Sequence, residues 1–232
     1  MPNSYTVSAL YIPAFILLIP IYLIFQMHEV NIIELFNKLD TLNLTWNEIS
    51  ISSNLVLWIF LANLIRYIGK HQLENKIFNF GRTFPTTQFL KKKSNILSQS
   101  FKNRIFELIY NDFNFDISKL NNMNKDEEEL ELKDYVSQIR IKVGKGTLTF
   151  NHNVRYGQIR NFIGGLYIIL PILIINSIYI FYISKYGLIE NTLLVINFLF
   201  FLIFLLKKTI IIKYADEYAN MLFNDYINLQ RS

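Results

Sequence analysis

Apolar residues in this chain gather into four blocks instead of recurring evenly along it, as a soluble core would require. The first block, residues 9–27 (ALYIPAFILLIPIYLIFQM), carries no charge. At a rise of ~1.5 Å per residue it reaches about 28 Å, enough to cross a hydrocarbon core. No Lys or Arg precedes it and no small-residue cleavage pattern follows, so a retained helix is expected over a signal peptide. Pro13 and Pro20 lie inside the block and each withholds an N–H, which predicts a kinked helix packed on its neighbours. The second block, residues 51–68, is diluted by Ser52, Ser53, Asn54 and Asn63 around the core LVLWIFLANLI. It ends at Arg66 and Lys70, whose long side chains reach headgroup level. The third and fourth blocks, residues 162–183 and 189–206, are joined by SKYGL, a link short enough to demand an antiparallel hairpin, and Lys207 and Lys208 close the last.

The charges between the blocks give the orientation. From Arg66 to Arg160 there are 17 Lys and Arg against 10 Asp and Glu, whereas residues 29–50 hold Lys38 against Glu29, Glu34, Asp40 and Glu48. Basic residues favour the cytoplasmic side, so the central region is expected inside, with Lys185 in the hairpin link outside and both termini cytoplasmic. The fold expected is an all-α integral membrane protein with four transmembrane helices and a small helical cytoplasmic insert between helices two and three. Its parts would be a first transmembrane hairpin with outer loop (1–68), the insert (69–160), a second hairpin (161–208) and an amphipathic cytoplasmic tail (209–232).

In the outer loop, Ile32, Ile33, Leu35, Phe36 and Leu39 share a helical face, and Asn43-Leu44-Thr45 fits the glycosylation sequon. The insert shows two helical patterns. One runs from Ser94 to Tyr110 through Ile96, Leu97, Phe101, Ile105, Leu108 and Ile109. The other starts at Asp126 or Glu127, where an acidic run suits a helix N-terminus, and continues through Leu130, Leu132, Tyr135, Ile139 and Ile141. Two such helices make a small core, so the insert is expected to lean on the bundle or on another subunit. The segment Gly144-Lys145-Gly146 reads as a turn leading into a strand-like TLTF. The tail places Tyr214, Tyr218, Leu222 and Tyr226 four apart, the stripe of a helix continuing from the last span. That stripe suits oligomer contact, docking on the insert or the inner headgroups alike.

Composition narrows the chemistry. With 0 cysteines the chain has no disulfide, thiolate nucleophile or cysteine-bound metal. His28, His71 and His152 stand in separate contexts without metal-ligand spacing, and no phosphate loop or nucleophile elbow is present, so neither a metal nor a cofactor nor enzymatic activity is expected. The polar residues within the blocks are amides and hydroxyls, chiefly Asn63, Asn176, Ser177 and Asn197, which argues against a proton-coupled pump and suits bonds between helices better than the lining of a pore. The run Lys91-Lys92-Lys93 is expected to be solvated, and nucleic acid is not the favoured partner. The Ile-, Asn-, Lys- and Phe-rich composition suggests a bacterial source.

Two motifs are more specific. The segment from Phe80 through Gly81, Pro85, Thr86, Thr87 and Leu90, followed by Tyr156-Gly157-Gln158-Ile159-Arg160-Asn161, resembles a family of uncharacterised bacterial membrane proteins. In that family a glycine-led Pro-Thr-Thr-x-x-Leu segment precedes Tyr-Gly-x-x-Arg-Asn. Tyr135 and Arg140 resemble family positions on the intervening helix, whereas Phe80 and Arg82 stand where a tryptophan and a second glycine are expected. The resemblance covers residues 80–165 and implies a shared fold without supplying an activity. Physically, Pro85 followed by the two threonine hydroxyls can end one element and cap the next, and Gly157 can permit a turn that delivers Arg160 to the membrane face.

Convergence of Arg82, Arg140, Arg155 and Arg160 would hold an anion such as a nucleotide or lipid phosphate, because guanidinium forks match phosphate oxygens. The function expected is that of a multi-pass bacterial inner-membrane protein, non-enzymatic and homo-oligomeric, whose insert senses a nucleotide ligand or cytoplasmic protein partner and acts through the bundle, as an antiviral defence effector would. A membrane scaffold for a cytoplasmic partner is the alternative. A small transporter ranks last because the halves show no repeat.

Overall fold

A computed structural model describes residues 4–28, 46–115, 117–144, 147–183 and 186–229. Among them every regular element is helical and no strand occurs. The expected outer-loop helix and sequon, Lys145-Gly146 and Lys185 lie outside the described residues. The chain divides into two compact units, Met1–Leu73 with Gly157–Lys207, and Glu74–Tyr156 with Lys208–Ser232.

The first unit contains α1 (Ser4–Met27) and α2 (Trp46–Ile68), which passes into a π-helical segment, Gly69–Glu74. It also holds the greater part of α6 (Thr147–Ile183) and all of α7 (Leu188–Leu205). Three helices are long and apolar enough to cross a membrane: α1, Leu148–Ile183 and α7. The 23 residues of α2 occupy the second apolar block. Helix α1 is interrupted by π-helical Val7–Tyr11, where the N–H of Ile12 bonds the carbonyl of Val7. This is the local response to Pro13, which has no N–H to return to Ala9 one turn earlier.

Leu10, Ala14 and Leu17 of α1, Ala62 and Ile65 of α2, a stripe of α6 (Leu166, Ile169, Leu170, Leu173, Ile180) and Leu193 of α7 form the core of this unit. Large apolar side chains also point outward, among them Phe15 (63% exposed), Phe60 (62%), Ile175 (68%) and Phe198 (62%). Water would not tolerate a surface of that kind, and lipid would.

Close approach in this unit depends on glycine. A Cβ on Gly164 would stand 2.6 Å from both the Gly69 nitrogen and the Ile65 carbonyl oxygen, and one on Gly157 would lie 2.9 Å from the Tyr5 hydroxyl and 3.0 Å from the Ala9 Cβ. Gly157 therefore makes no turn. It lies inside the continuous α6, and its missing side chain admits α1.

The second unit comprises α3 (Pro85–Leu90), α4 (Gln99–Phe113), α5 (Lys125–Val143), the start of α6, and α8 (Lys207–Asn228) from Lys208 onward. Helix α4 starts five residues later than its pattern predicts, because the Ser98 side chain accepts the N–H of Phe101 and sets the N-cap there. Ile96 falls before the helix and is exposed. Asn114, in the left-handed conformation, ends it. Helix α5 opens with a full capping box. The Asn124 side chain accepts the N–H groups of Asp126 and Glu127, and Glu127 returns a carboxylate to the Asn124 N–H. Its buried face runs through Leu132, Val136, Ile139 and Val143, leaving Leu130 and Ile141 exposed, contrary to their assignment to the core stripe.

The strand-like TLTF is instead the first turn of α6. Thr149 donates both its N–H (2.8 Å) and its hydroxyl (2.7 Å) to Asp225 Oδ2, so a carboxylate 76 residues away caps this helix. Asp225 belongs to α8, whose Ala219, Leu222, Phe223, Tyr226 and Ile227 complete one core with Ile105, Phe106 and Ile109 of α4 and the α5 stripe. Helix α8 thus docks on α4 and α5, and their shared core is larger than α4 and α5 alone supply. Leu206 breaks the chain between α7 and α8, so the two are not one continuous helix.

Tyr226 is fully buried and donates to Asp112 Oδ2 at 2.7 Å, while Asp112 also pairs with Lys142. Burial, with the Asp112 bond second, pushes the Tyr226 phenol far up. The lysine run is partly built in as well. Lys91 pairs with buried Glu129, and the amine of buried Lys102 donates to the carbonyls of Lys91, Lys92 (3.2 Å) and Ser94 (3.4 Å). Desolvation lowers the Lys102 pKa, opposed by the charge of Glu128.

Candidate functional site

The first motif forms a site around Phe84. Residues Asn79, Phe80 and Gly81 all have positive φ (44°, 55° and 85°), and this tight turn reverses the chain ahead of Pro85. Phe84, extended, is the N-cap of α3, and Pro85 occupies the first turn, where its missing N–H costs no helical bond. Thr86 and Thr87 are buried.

The Phe84 ring meets four groups. Tyr156 stands edge-on at 5.5 Å between centroids, Phe78 at 4.8 Å and Tyr218 at 6.3 Å. The guanidinium carbon of Arg140 lies 5.4 Å from the Phe84 centroid and 5.5 Å from that of Tyr218. Arg140 also donates from Nη2 to Thr86 Oγ1 at 3.2 Å, and the Tyr156 hydroxyl donates to Glu74 Oε2 at 2.8 Å. Two aromatic faces and one hydroxyl therefore fix the guanidinium plane, while the residue stays exposed. No carboxylate among the described residues pairs with it. A planar cation held open in this way can bind a carboxylate or phosphate oxygen pair in fork geometry.

Each of the other three arginines has its own local setting. Arg82 is in the turn before α3 and its carbonyl accepts from Gln88 Nε2 at 3.3 Å. Arg155 is exposed on α6 within the same unit. Arg160 belongs to the first unit, where its Nε and Nη2 each lie 3.2 Å from Asn161 Oδ1. Asn161, 1% exposed, donates from Nδ2 to the Ala9 carbonyl at 2.7 Å. That carbonyl is the one Pro13 leaves without its helical donor, so the second motif supplies the donor missing from α1.

The amides of the apolar blocks differ in setting. Asn63, exposed, bonds the Ile59 carbonyl of its own helix at 2.8 Å. Asn176 Oδ1 lies 3.2 Å from His28 Nε2. Asn197 Nδ2 donates to Ser177 Oγ at 2.8 Å and to the Leu173 carbonyl at 3.5 Å. No three His, Asp or Glu side chains among the described residues gather in a metal-binding group.

Phe84, Tyr218 and Glu74 were not among the candidate site residues of the sequence. Two of the three carried a signal: Phe84 directly precedes Pro85, and Tyr218 belongs to the four-residue stripe of the tail. No family model, curated protein or solved structure matches the chain.

Proposed function

We propose that this is a non-enzymatic, multi-pass inner-membrane protein of bacterial type, whose cytoplasmic domain senses an anionic ligand or a protein partner and acts through an oligomeric bundle of helices. In this reading α1, α2, the apolar part of α6, and α7 are four spans. Both termini are cytoplasmic, and the second unit is the sensing domain. At ~1.5 Å per residue, the 23 residues of α2 extend about 34 Å, which supports its crossing with the others.

The observation that carries the sensing role is Arg140: exposed, clamped between Phe84 and Tyr218, and without an acidic partner among the described residues. The ligand class this favours is a phosphate-bearing molecule such as a nucleotide. Helix α6 starts in the second unit and ends in the first, so a ligand-driven change at its start would load an apolar helix. Loss of membrane integrity on sensing, as in an antiviral defence effector, is the output we favour.

Induced expression with a potential-sensitive dye, in cells carrying the native neighbouring genes and challenged with phage, tests this. Depolarisation by the wild type, absent in Arg140→Ala at equal membrane abundance, is expected. An unchanged potential in both would refute the pore output. A membrane scaffold is the second reading, favoured by the bonds of Asn197 to Ser177 and Leu173, which tie helices together instead of lining a path. It predicts partner capture without depolarisation.

A further inference from the structure

On α6, Leu173, Asn176, Ser177 and Ile180 are all buried and fall at helical spacing on one face. Asn176 reaches the end of α1, where its Oδ1 lies 3.2 Å from His28 Nε2, and Tyr179 stacks on the same imidazole at 4.9 Å. Ser177 reaches α7: Asn197 Nδ2 donates to its Oγ at 2.8 Å, and Oγ donates to the Leu173 carbonyl at 2.8 Å. Three helices therefore meet in one polar layer. Asn176 is seven residues from the end of α6 and Asn197 nine from the start of α7, which puts both roughly 10–14 Å along from the hairpin.

This layer is incomplete. Asn176 is 6% exposed, yet its Nδ2 has no hydrogen-bond partner, and neither has the buried Oδ1 of Asn197. One unmet donor and one unmet acceptor define the chemistry required. A cation would face the Asn176 amide protons, and an anion the Asn197 carbonyl. A neutral molecule that both donates and accepts satisfies the pair. Water does so in either orientation of the Asn176 amide, because it offers two donors and two acceptors. Buried polar groups without a protein partner are the ordinary sites of internal water, and inside an apolar bundle the demand is stronger.

We propose that the Asn176–Ser177–Asn197 layer is a hydrated site, in which bound water completes both amides and links α6 to α7 within the first unit. The proposal rests on the placement of this unit in lipid and is independent of the sensing role assigned to the second unit.

The test is selective 15N-asparagine labelling of the intact chain in lipid nanodiscs, reading magnetisation transfer from water to side-chain amides. Cross-peaks from water to the Asn176 and Asn197 amides, lost one at a time in Asn176→Leu and Asn197→Leu, are the expected result. Because the wild type alone shows the water peaks, a variant that fails to fold leaves the measurement intact. Cross-peaks only to protein groups, including those of a differently labelled second copy, would overturn the proposal in favour of a direct interhelical or intersubunit bond. Lipid acyl contacts to Phe15, Phe60 and Phe198 test membrane placement separately, so failure of that premise is distinguishable from failure of hydration.

Discussion

Replacing Asn161 by Leu isolates a single physical claim, that a side chain on α6 supplies the hydrogen bond that Pro13 denies to α1. Two magnitudes compete. Intramembrane side-chain hydrogen bonds average only about 0.6 kcal/mol, because the unfolded chain in lipid finds other partners. A buried carbonyl left with no donor costs about 1–3 kcal/mol. Ala9 is 0% exposed and Asn161 1% exposed, so no water reaches the carbonyl when Leu fills the site, and the second figure governs. Arg160 would lose its contacts to Asn161 Oδ1, but it is only half-buried and its head can turn to water. The expected loss is about 2 kcal/mol.

The decisive comparison adds Pro13→Ala, which restores an N–H one turn after Ala9. In that background Asn161→Leu should cost less by about 1 kcal/mol or more, a coupling well above the ~0.3–0.5 kcal/mol scatter of independent sites. Unfolding in mixed micelles of rising SDS fraction measures all four proteins. Additive effects of the two substitutions would refute the assignment of Asn161 to the Ala9 carbonyl.

Other expectations follow from the same geometry. Gly164→Ala drives a Cβ to 2.6 Å from backbone atoms of Gly69 and Ile65, whereas Gly187→Ala meets the flexible carboxylate of Glu190 at the same 2.6 Å. Gly164→Ala should therefore lose about 1–3 kcal/mol or fail to assemble while Gly187→Ala stays near wild type, measured by the same SDS unfolding. Arg140→Lys keeps the charge but gives up the fork, the Thr86 bond and the two ring faces. It should lower the melting temperature of the purified protein by a few degrees, corresponding to about 1 kcal/mol, without changing its membrane abundance. Tyr226→Phe should cost about 1.5–3 kcal/mol, the worth of a hydrogen bond to a charged group. Because the Tyr226 phenol is raised in the folded state, the stability it contributes is whole below its unfolded pKa near 10 and is lost as pH rises above that value. A denaturation series from pH 8 to 11 should show that decline in the wild type and a shallower one in Tyr226→Phe.

What could be read along the chain was whatever depends on neighbours in sequence. Apolar blocks announced long helices, with Pro13 marking the irregular π-helical turn of α1, and the acidic run from Asp126 marked the start of α5 to within a residue, because capping is local. The start of α6 was missed for the opposite reason. TLTF is β-branched and short, and the Asp225 carboxylate that holds it helical arrives from far along the chain. Gly157 reads as a turn until Tyr5 and Ala9 are seen against it, and the tail's stripe suits three destinations until the α4 and α5 faces are known. At the candidate site, Arg140 and Thr86 were named but not joined, and the rings that clamp Arg140 come from both sides of a 134-residue separation in sequence, Phe84 to Tyr218. Such pairings have no local signature.

The absence of native cysteine permits the most direct measurement. Lys119→Cys introduces one thiol at an exposed position in the helical segment Ile117–Asn122 of the second unit. Membranes are washed with alkaline carbonate, and intact and permeabilised cells are treated with a membrane-impermeant maleimide. The account predicts that the chain stays with the membrane and is labelled only after permeabilisation. Labelling in intact cells, or release of the chain into the carbonate wash, would contradict it.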